Sequence, residues 1–131
     1  MQTLVGNDVA QLRASSQLTF SDQVLAKIAR ICAAEVDGIL GMDGNVIDSI
    51  AESLGKDERT MKGINAEVGE KQVAIDMNLI LAFDANAQDV FDELCDRISK
   101  AVRQMTGLHL VELNVHIQDV LTTREWRAVS N

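Results

Sequence analysis

The segment from Val73 to Val120, VAIDMNLILAFDANAQDVFDELCDRISKAVRQMTGLHLVELNVHIQDV, decides the fold, because it contains two alternating stretches separated by a helical one. Apolar and polar residues alternate between Val73 and Phe83, which is typical of a half-buried strand of about ten residues. The same alternation returns between Val111 and Gln118. Between these strands, apolar residues recur every three or four positions, as in an amphipathic helix. They are Ala87, Val90, Phe91, Leu94, Ile98, Ala101, Val102 and Met105. The segment therefore predicts strand, helix, strand.

Two helices and a further strand are predicted upstream of this segment. The first helix begins at Ser21, a residue type preferred as an N-cap, and ends at Gly38, the usual residue where the chain turns left-handed. A shorter helix is predicted between Asn45 and Gly55 on the same grounds. Residues 64–68 alternate between apolar and polar side chains, so they predict a strand that forms a β-hairpin with the strand that follows.

The predicted fold is α+β: a small mixed sheet with helices packed on one face, in the order helix-helix-strand-strand-helix-strand. Residues 17–20 are expected to add an N-terminal edge strand. A chain of 131 residues is long enough for one buried core and too short for two. We therefore expect a flexible N-terminal tail at 1–15, a single domain at 16–121 and a C-terminal tail at 122–131. The sheet face away from the helices carries polar side chains and is expected to meet water or a partner.

The composition argues against several classes of function. The formal net charge is −8, which opposes non-specific binding to nucleic-acid phosphates or to anionic lipid head groups. No apolar run approaches the roughly 18 residues of a membrane span, and the segment from Met1 to Ala14 lacks the apolar core of a signal peptide. Cys32 and Cys95 lie at apolar positions of predicted helices, as buried free thiols do. These features predict a cytoplasmic protein.

The residue types that support catalysis or metal binding are not arranged in a site. His109 and His116 would lie roughly 23 Å apart on one strand and point to opposite faces of it, so they cannot share a metal. The serines are placed at helix caps and in tails, with no base expected beside them. The sequence also lacks the glycine-rich motifs that bind phosphates or dinucleotides. We therefore predict that the protein is not an enzyme and uses no cofactor or metal.

One motif points to a different class of function. The sequence GILG at 38–41, between two predicted helices, matches the G-x-x-G loop that clamps RNA backbones in KH domains. Asp37 and Asp43 flank it, where a phosphate-binding loop needs basic residues. An RNA-binding module that uses the Gly38–Gly44 loop is therefore the alternative function.

Two segments resemble the alkaline shock protein family. The first is LTFSDQVLAKIA at 18–29, followed by VDGILGM at 36–42. The second is TGL at 106–108, followed by VELNVHIQDV at 111–120, which is similar to the closing helix-to-strand signature of the family. With the hairpin and the main helix between them, the resemblance extends over about residues 16–121. Each motif is mainly an apolar pattern with glycines, so it is their combination that carries the resemblance.

The resemblance implies a bacterial protein of the cell-envelope or general stress response that has no enzymatic activity. Some members of the family gather at the cytoplasmic membrane through a separate anchor protein and self-associate. We therefore expect a cytoplasmic adaptor or scaffold that acts through protein–protein contacts, with a protein partner that can be membrane-anchored, a homo-oligomeric state and no nucleic acid.

Three surfaces are expected to make those contacts, because unpaired strand edges and open sheet faces recruit partners. They are the N-terminal edge strand, the polar face of the sheet and the C-terminal tail. Their candidate partner-binding residues are Leu18, Phe20, Asn78, Asn114, His116 and Trp126.

Overall fold

The computed structural model of the protein describes residues 6–42, 45–46 and 63–130. Its helices and strands follow one another along the chain as α1 (Gly6–Ser15), α2 (Asp22–Ala34), β1 (Ile39–Met42), β2 (Asn45–Val46), β3 (Ile64–Val68), β4 (Gln72–Ala82), α3 (Ala87–Thr106), β5 (His109–Leu121) and α4 (Thr123–Ser130).

Strand β4 is the centre of a mixed sheet. On one side it pairs in parallel with β5 along its whole length, from Gln72 opposite His109 to Ala82 opposite Leu121. On its other side it pairs antiparallel with two strands, first with β3 and then, nearer its C-terminal end, with β1. Strand β2 extends the sheet beyond β1. The predicted α+β class with a mixed sheet is confirmed.

The core lies between one face of this sheet and helices α2 and α3. The alternation of β4 gives a row of side chains on that face that are at most 2% exposed; they are Val73, Ile75, Met77, Leu79 and Leu81. Helix α3 contributes Val90, Leu94, Ile98 and Val102, and α2 contributes Leu25, Ile28, Ala29 and Cys32. These are the apolar stripes that the helical periodicity predicts. Helices α2 and α3 therefore pack on one face of the sheet, as expected.

Local residues determine where α3 begins and ends. Asn86 is its N-cap, and the Asn86 side chain accepts a hydrogen bond from the Asp89 N–H (3.0 Å). Gly107 ends the helix in the left-handed conformation, with φ at 79°. On the exposed surface of the helix, Glu93 pairs with Arg97 four residues later at 2.7 Å. Such an exposed pair contributes little to stability, because water screens the two charges.

Three terminal segments differ in local structure from the sequence-based expectation. Residues 6–15 form helix α1, although the sequence predicts a tail without a period at 1–15; most of its described side chains are exposed. Residues 17–20, predicted as an edge strand, are not in a strand. Residues 123–130 form helix α4 in place of the expected tail, and Thr122 with Glu125 explains why. The Thr122 Oγ1 accepts from the Glu125 N–H (3.2 Å), and the Glu125 Oε1 accepts from the Thr122 N–H (3.0 Å), which is a capping box.

The link after α2 also differs from the prediction. Ile39–Met42 form strand β1, and Asn45, predicted as the N-cap of a short helix, lies in strand β2. The remainder of that predicted helix lies outside the described residues. The G-x-x-G interpretation is not supported, because its first glycine is at a turn (Gly38, φ 98°) and its second, Gly41, is buried in β1 opposite Ile80. An exposed loop between two helices is therefore not what this motif forms.

Candidate interaction surfaces

The sheet face turned away from the helices carries a patch of polar side chains. The Asn114 Nδ2 donates to Asp76 Oδ1 and to Glu112 Oε2, both at 2.9 Å, so one amide bridges two carboxylates on neighbouring strands. His116 lies opposite Asn78 in the next position of the same pair of strands. We call these five residues the polar face. Of the five, Asn78 and His116 lie nearest the C-terminal end of β4.

The C-terminal end of the same face is apolar. Ile80 and Ala82 follow Asn78 at two-residue spacing on β4, and Leu121 lies opposite Ala82. Ile80 is 6% exposed but does not belong to the main core cluster. A pocket of about 260 Å³ is lined here by Trp126 of α4 together with Leu40, Ala82, Phe83, Asp84, Leu121, Thr122 and Thr123. Helix α4 therefore holds the half-buried Trp126 against this end of the sheet.

Leu18 and Phe20 lie at the other end of the strands. They line a wider hollow of about 500 Å³ together with Val68, Gly69, Glu70, Lys71 and Leu108, which surround the β3–β4 turn. Phe20 packs partly against the core, whereas Leu18 is 79% exposed. Since β4 has 11 residues and rises about 3.3 Å per residue, the Leu18 region and the Trp126 pocket are roughly 30 Å apart.

The six residues predicted to bind a partner thus fall in three places. Asn78, Asn114 and His116 lie together on the polar face, Trp126 lies at the apolar end of that face, and Leu18 with Phe20 lies beyond the opposite end of the sheet. Their contact with a partner stays a prediction.

The two histidines do not have the predicted opposite orientations. A register shift between Val73 and Ala74 inserts one extra residue into β5, so His109 lies opposite Gln72 and His116 opposite Asn78, two β4 positions of the same parity. The extra residue cancels the parity difference that their numbers suggest. The His109 Nε2 lies 3.1 Å from Arg103 Nη1 at the end of α3, far from the polar face.

The backbone of β4 determines which way the backbone groups of β5 point. The Asn78 N–H donates to the Gly63 carbonyl (2.8 Å), on the β3 side of the sheet, so Asn78 turns its backbone groups away from β5. In a parallel ladder, the residue that lies opposite such a position points its own N–H and C=O toward the partner strand. His116 lies opposite Asn78 and therefore bonds to β4.

Among the residues that the structure describes, none pairs with the other edge of β5 along residues 113–117. Backbone direction alternates along a strand, so the N–H and C=O groups of Leu113, Val115 and Ile117 point away from β4. No strand within the described part of the chain pairs with this side of β5. The side chains of the same three residues face the core but are only half-buried. We call residues 113–117 the open edge; sequence alternation predicted the strand but carried no signal that it lies at an edge.

Both ends of the open edge are protected. Register shifts place Val111 and Gln118 as extra residues in β5, and such bulges interrupt further pairing. Beyond the second bulge, the Val120 N–H donates to Oδ1 of the preceding residue, Asp119 (2.8 Å). The unbroken stretch available to another strand is therefore 113–117.

The buried titratable groups do not point to a reactive site. Burial raises the pKa of the Cys32 thiol, with Glu35 adding to the effect, so the thiol stays protonated and is a poor nucleophile. Burial also lowers the pKa of Arg30, whose Nη1 lies 3.9 Å from Met42 Sδ. Among the residues that the structure describes, no group of three or more His, Cys, Asp and Glu side chains is placed to hold a metal ion. Nor is any described helix long and apolar enough to cross a membrane.

The sequence matches a known family over most of its length. Residues 11–122 match the model of the alkaline shock protein family, which is described as having a cell envelope-related function. The match extends from the end of α1 through α2 and the sheet to Thr122, and it therefore includes the polar face and the open edge.

Curated relatives include proteins of Streptococcus pyogenes and Bacillus subtilis. The stress response regulator gls24 homolog of Streptococcus pyogenes serotype M3 is 32% identical over 112 residues, which is 86% of this chain and 63% of that protein. The Bacillus subtilis proteins YqhY and YloU are 29% and 28% identical over 77% and 82% of this chain, and over 74% and 90% of their own lengths. This chain thus spans less than two thirds of the streptococcal relative.

Among solved structures, the MamM CTD is similar at a TM-score of 0.43 and 13% identity, over 74% of this chain and 93% of that one. At that level the likeness supports no argument about fold or function.

Proposed function

The chain belongs to the alkaline shock protein family, and from this premise we propose that it is a non-enzymatic, cytoplasmic adaptor or scaffold of the cell-envelope stress response that acts through protein–protein contacts. The family match and the stress-regulator names of relatives support the envelope and stress role. In this proposal the partner is another protein, either free or anchored in the membrane.

The observation that carries the proposal is the polar face. Two strands at the centre and edge of the sheet present a continuous row of hydrogen-bonding side chains, and the Asn114 amide orders Asp76 and Glu112 into one network. A surface of fixed donors and acceptors suits recognition of a partner's polar groups, because each buried group must find a partner. The half-buried Asn78 belongs to this surface and lies beside the central Asp76–Asn114 pair.

The charge of the polar face favours a protein with a basic surface over RNA. Asp76 and Glu112 lie on it, and the chain as a whole carries −8. Phosphate contacts need lysine and arginine, which this face does not offer among the described residues. Electrostatic complementarity would raise the rate of association with a basic partner.

Site-specific photocrosslinking in growing cells tests the proposal. A photoreactive amino acid is placed at Asn78, on the polar face, and in a matched variant at Asp96, on the exposed surface of α3. We expect the Asn78 probe to form an adduct with another protein, more strongly under envelope stress, because the face is occupied when the adaptor works.

The control probe at Asp96 should give no such adduct, since the helix surface is not part of the proposed contact. Adducts of equal yield at both positions, or none at Asn78 under stress, would contradict the assignment of the polar face.

A further inference from the structure

We propose that the open edge of β5 pairs with the open edge of a second copy of this chain, antiparallel and centred on Val115. The pairing uses the edge of the sheet, whereas the proposed adaptor function uses its polar face. Either can therefore fail without the other.

The direction of the backbone groups selects this register. Leu113, Val115 and Ile117 present outward N–H and C=O groups, and in an antiparallel pair two outward residues must lie opposite each other. Centring on Val115 places Val115 opposite itself and Leu113 opposite Ile117 of the second copy. All outward groups of the unbroken stretch are then paired, which gives about six hydrogen bonds across the dyad.

Neighbouring registers satisfy fewer groups. Centring on Asn114 pairs Leu113 only with Val115 of the second copy and leaves Ile117 opposite the bulge at Val111. Centring on His116 similarly leaves Leu113 without an outward residue opposite it. Each alternative loses about two of the six hydrogen bonds, so the Val115 register is the most complete.

The side chains on both faces agree with this register. On the polar side, Asn114 lies opposite His116 of the second copy and Glu112 opposite Gln118, so no like charges meet across the dyad. On the helix side, the half-buried Leu113 and Val115 gain apolar neighbours, since Ile117 of the second copy comes beside them. The edge therefore complements itself in hydrogen bonds, charge and apolar contact.

Helix α3 supplies a second apolar contact at the same height. Phe91 lies 15 residues before the end of α3, or about 22 Å, and Val115 lies seven strand residues after Leu108, or about 23 Å. Phe91 and Cys95 are half-buried and lie on one flank of the helix, four residues apart. Around a dyad at Val115, Phe91 of both copies would thus approach each other above the paired strands.

The two-fold axis of this pairing is perpendicular to the sheet, because only that axis makes neighbouring strands antiparallel with the same face upward. The polar faces of both copies consequently lie on the same side. A dimer of this kind would offer one continuous surface with two equivalent partner sites, and two weak contacts to a clustered partner would act together.

A proline variant that keeps the fold of the monomer tests whether the open edge forms the contact between two copies. Val115→Pro removes an outward N–H and places a ring on the free edge, a position where strands tolerate proline. The matched control is Val120→Pro, which also replaces an outward N–H on the same strand but lies beyond the second bulge. We expect sedimentation analysis to show a wild-type dimer, roughly a hundredfold weaker association in Val115→Pro, and little change in Val120→Pro.

A cross-linking experiment tests the register independently of any folding defect. Asn114→Cys and His116→Cys are oxidised separately and as an equimolar mixture, beside wild type as a control for Cys32 and Cys95. Residues 114 and 116 would be directly opposite and non-hydrogen-bonded, at a Cα separation near about 4.5 Å that suits a disulfide. We expect a disulfide-linked dimer mainly in the mixture, several-fold above either variant alone.

Three results would overturn the proposal. They are a wild-type protein that stays monomeric at every concentration, a Val115→Pro variant that associates like wild type, and cross-linking that is no greater in the mixture. A protein that stays monomeric but still forms the Asn78 adduct in cells would refute dimerisation through the open edge, while the proposed adaptor function would still hold.

Discussion

Strands β4 and β5 have nearly the same pattern of alternating residues but different surroundings. In β4 the core-facing row from Val73 to Leu81 is at most 2% exposed, whereas the equivalent residues of β5 are half-buried and Val111 and Val120 are 56% and 45% exposed. Strand β4 has neighbours on both sides, and β5 has a described neighbour on one side only. The alternation of a strand therefore indicates its two faces, while its number of neighbours decides how much each residue is buried.

The largest difference is expected for proline at two positions that lie opposite each other, Met77 and Val115. Met77→Pro removes a ladder hydrogen bond at the centre of the sheet together with a fully buried side chain, which should cost about 4 kcal/mol or more. Val115→Pro removes an outward N–H and replaces a side chain that is only half-buried, so it should cost much less and leave the monomer folded. Urea unfolding followed by circular dichroism measures both, and equal losses would show that β5 is not an edge.

Truncation to alanine should show the same contrast between β4 and β5, with smaller losses of unfolding free energy. Leu79 and Ile117 also lie opposite each other on the core face. Leu79→Ala should lower the free energy of unfolding by about 3 kcal/mol, because a fully buried side chain leaves a cavity. Ile117→Ala should cost roughly half as much, since its side chain is already partly in water. Denaturant midpoints at low protein concentration, where association is absent, give the two values; a cost at Ile117 equal to that at Leu79 would argue against an exposed edge.

The glycines that precede β1 and β5 offer a third comparison. Gly38 has φ at 98°, and an added Cβ would lie 2.9 Å from the Ala85 Cβ, whereas Gly107 has φ at 79° with nothing within 4 Å. Gly107→Ala should cost about 1 kcal/mol from the left-handed backbone alone. Gly38→Ala adds the contact beside β4 and should cost about 2 kcal/mol or more. Thermal unfolding of the two variants would refute this reasoning if Gly107→Ala were the less stable one.

The smallest effect is expected at the end of β5, where the capping box holds α4. Thr122→Ala should destabilise that helix by about 1 kcal/mol with little effect on global unfolding. Trp126 is the single tryptophan, so its fluorescence reports on α4 alone. We expect greater quenching by acrylamide in Thr122→Ala and no change in the control Arg124→Ala, which leaves the capping box intact.

The same cap should respond to pH. Hydrogen bonds from the Thr122 backbone and side chain lower the pKa of Glu125. Because the folded-state pKa lies below the unfolded one, the cap is fully present above the unfolded pKa and is lost as pH falls through the folded value. Acidification should therefore expose Trp126 in wild type, and Glu125→Gln should remove that titration; a titration that persists in the variant would assign it to another group.

Local signals in the sequence were enough for the centre of the fold. The alternation at 73–83 and 111–118, the helical period between them and the glycine at 107 predicted β4, α3 and β5 directly. Strand β1 was missed because Gly38 and Gly41 suggested a tight link, and its pairing with β4 is a long-range contact. Helix α4 was missed although its capping box is local, in the sequence Thr122-Thr123-Arg124-Glu125.

The candidate surfaces were predicted only in part. Parity placed Asn78, Asn114 and His116 on one face, and the structure brings them together. The open edge and its two bulges could not be read from the sequence, because register and strand order depend on tertiary pairing. For the same reason Leu18 and Phe20, expected on an edge strand, lie in an irregular segment before α2.

Amide hydrogen exchange measured residue by residue in β5, at several protein concentrations, tests the central claim most directly. The N–H groups of Asn114 and His116 should be protected at every concentration, because they bond to β4. Those of Leu113, Val115 and Ile117 should exchange quickly in dilute protein and become protected as the dimer forms. Fast exchange of these three amides in a sample that sediments as a dimer would contradict pairing through the open edge.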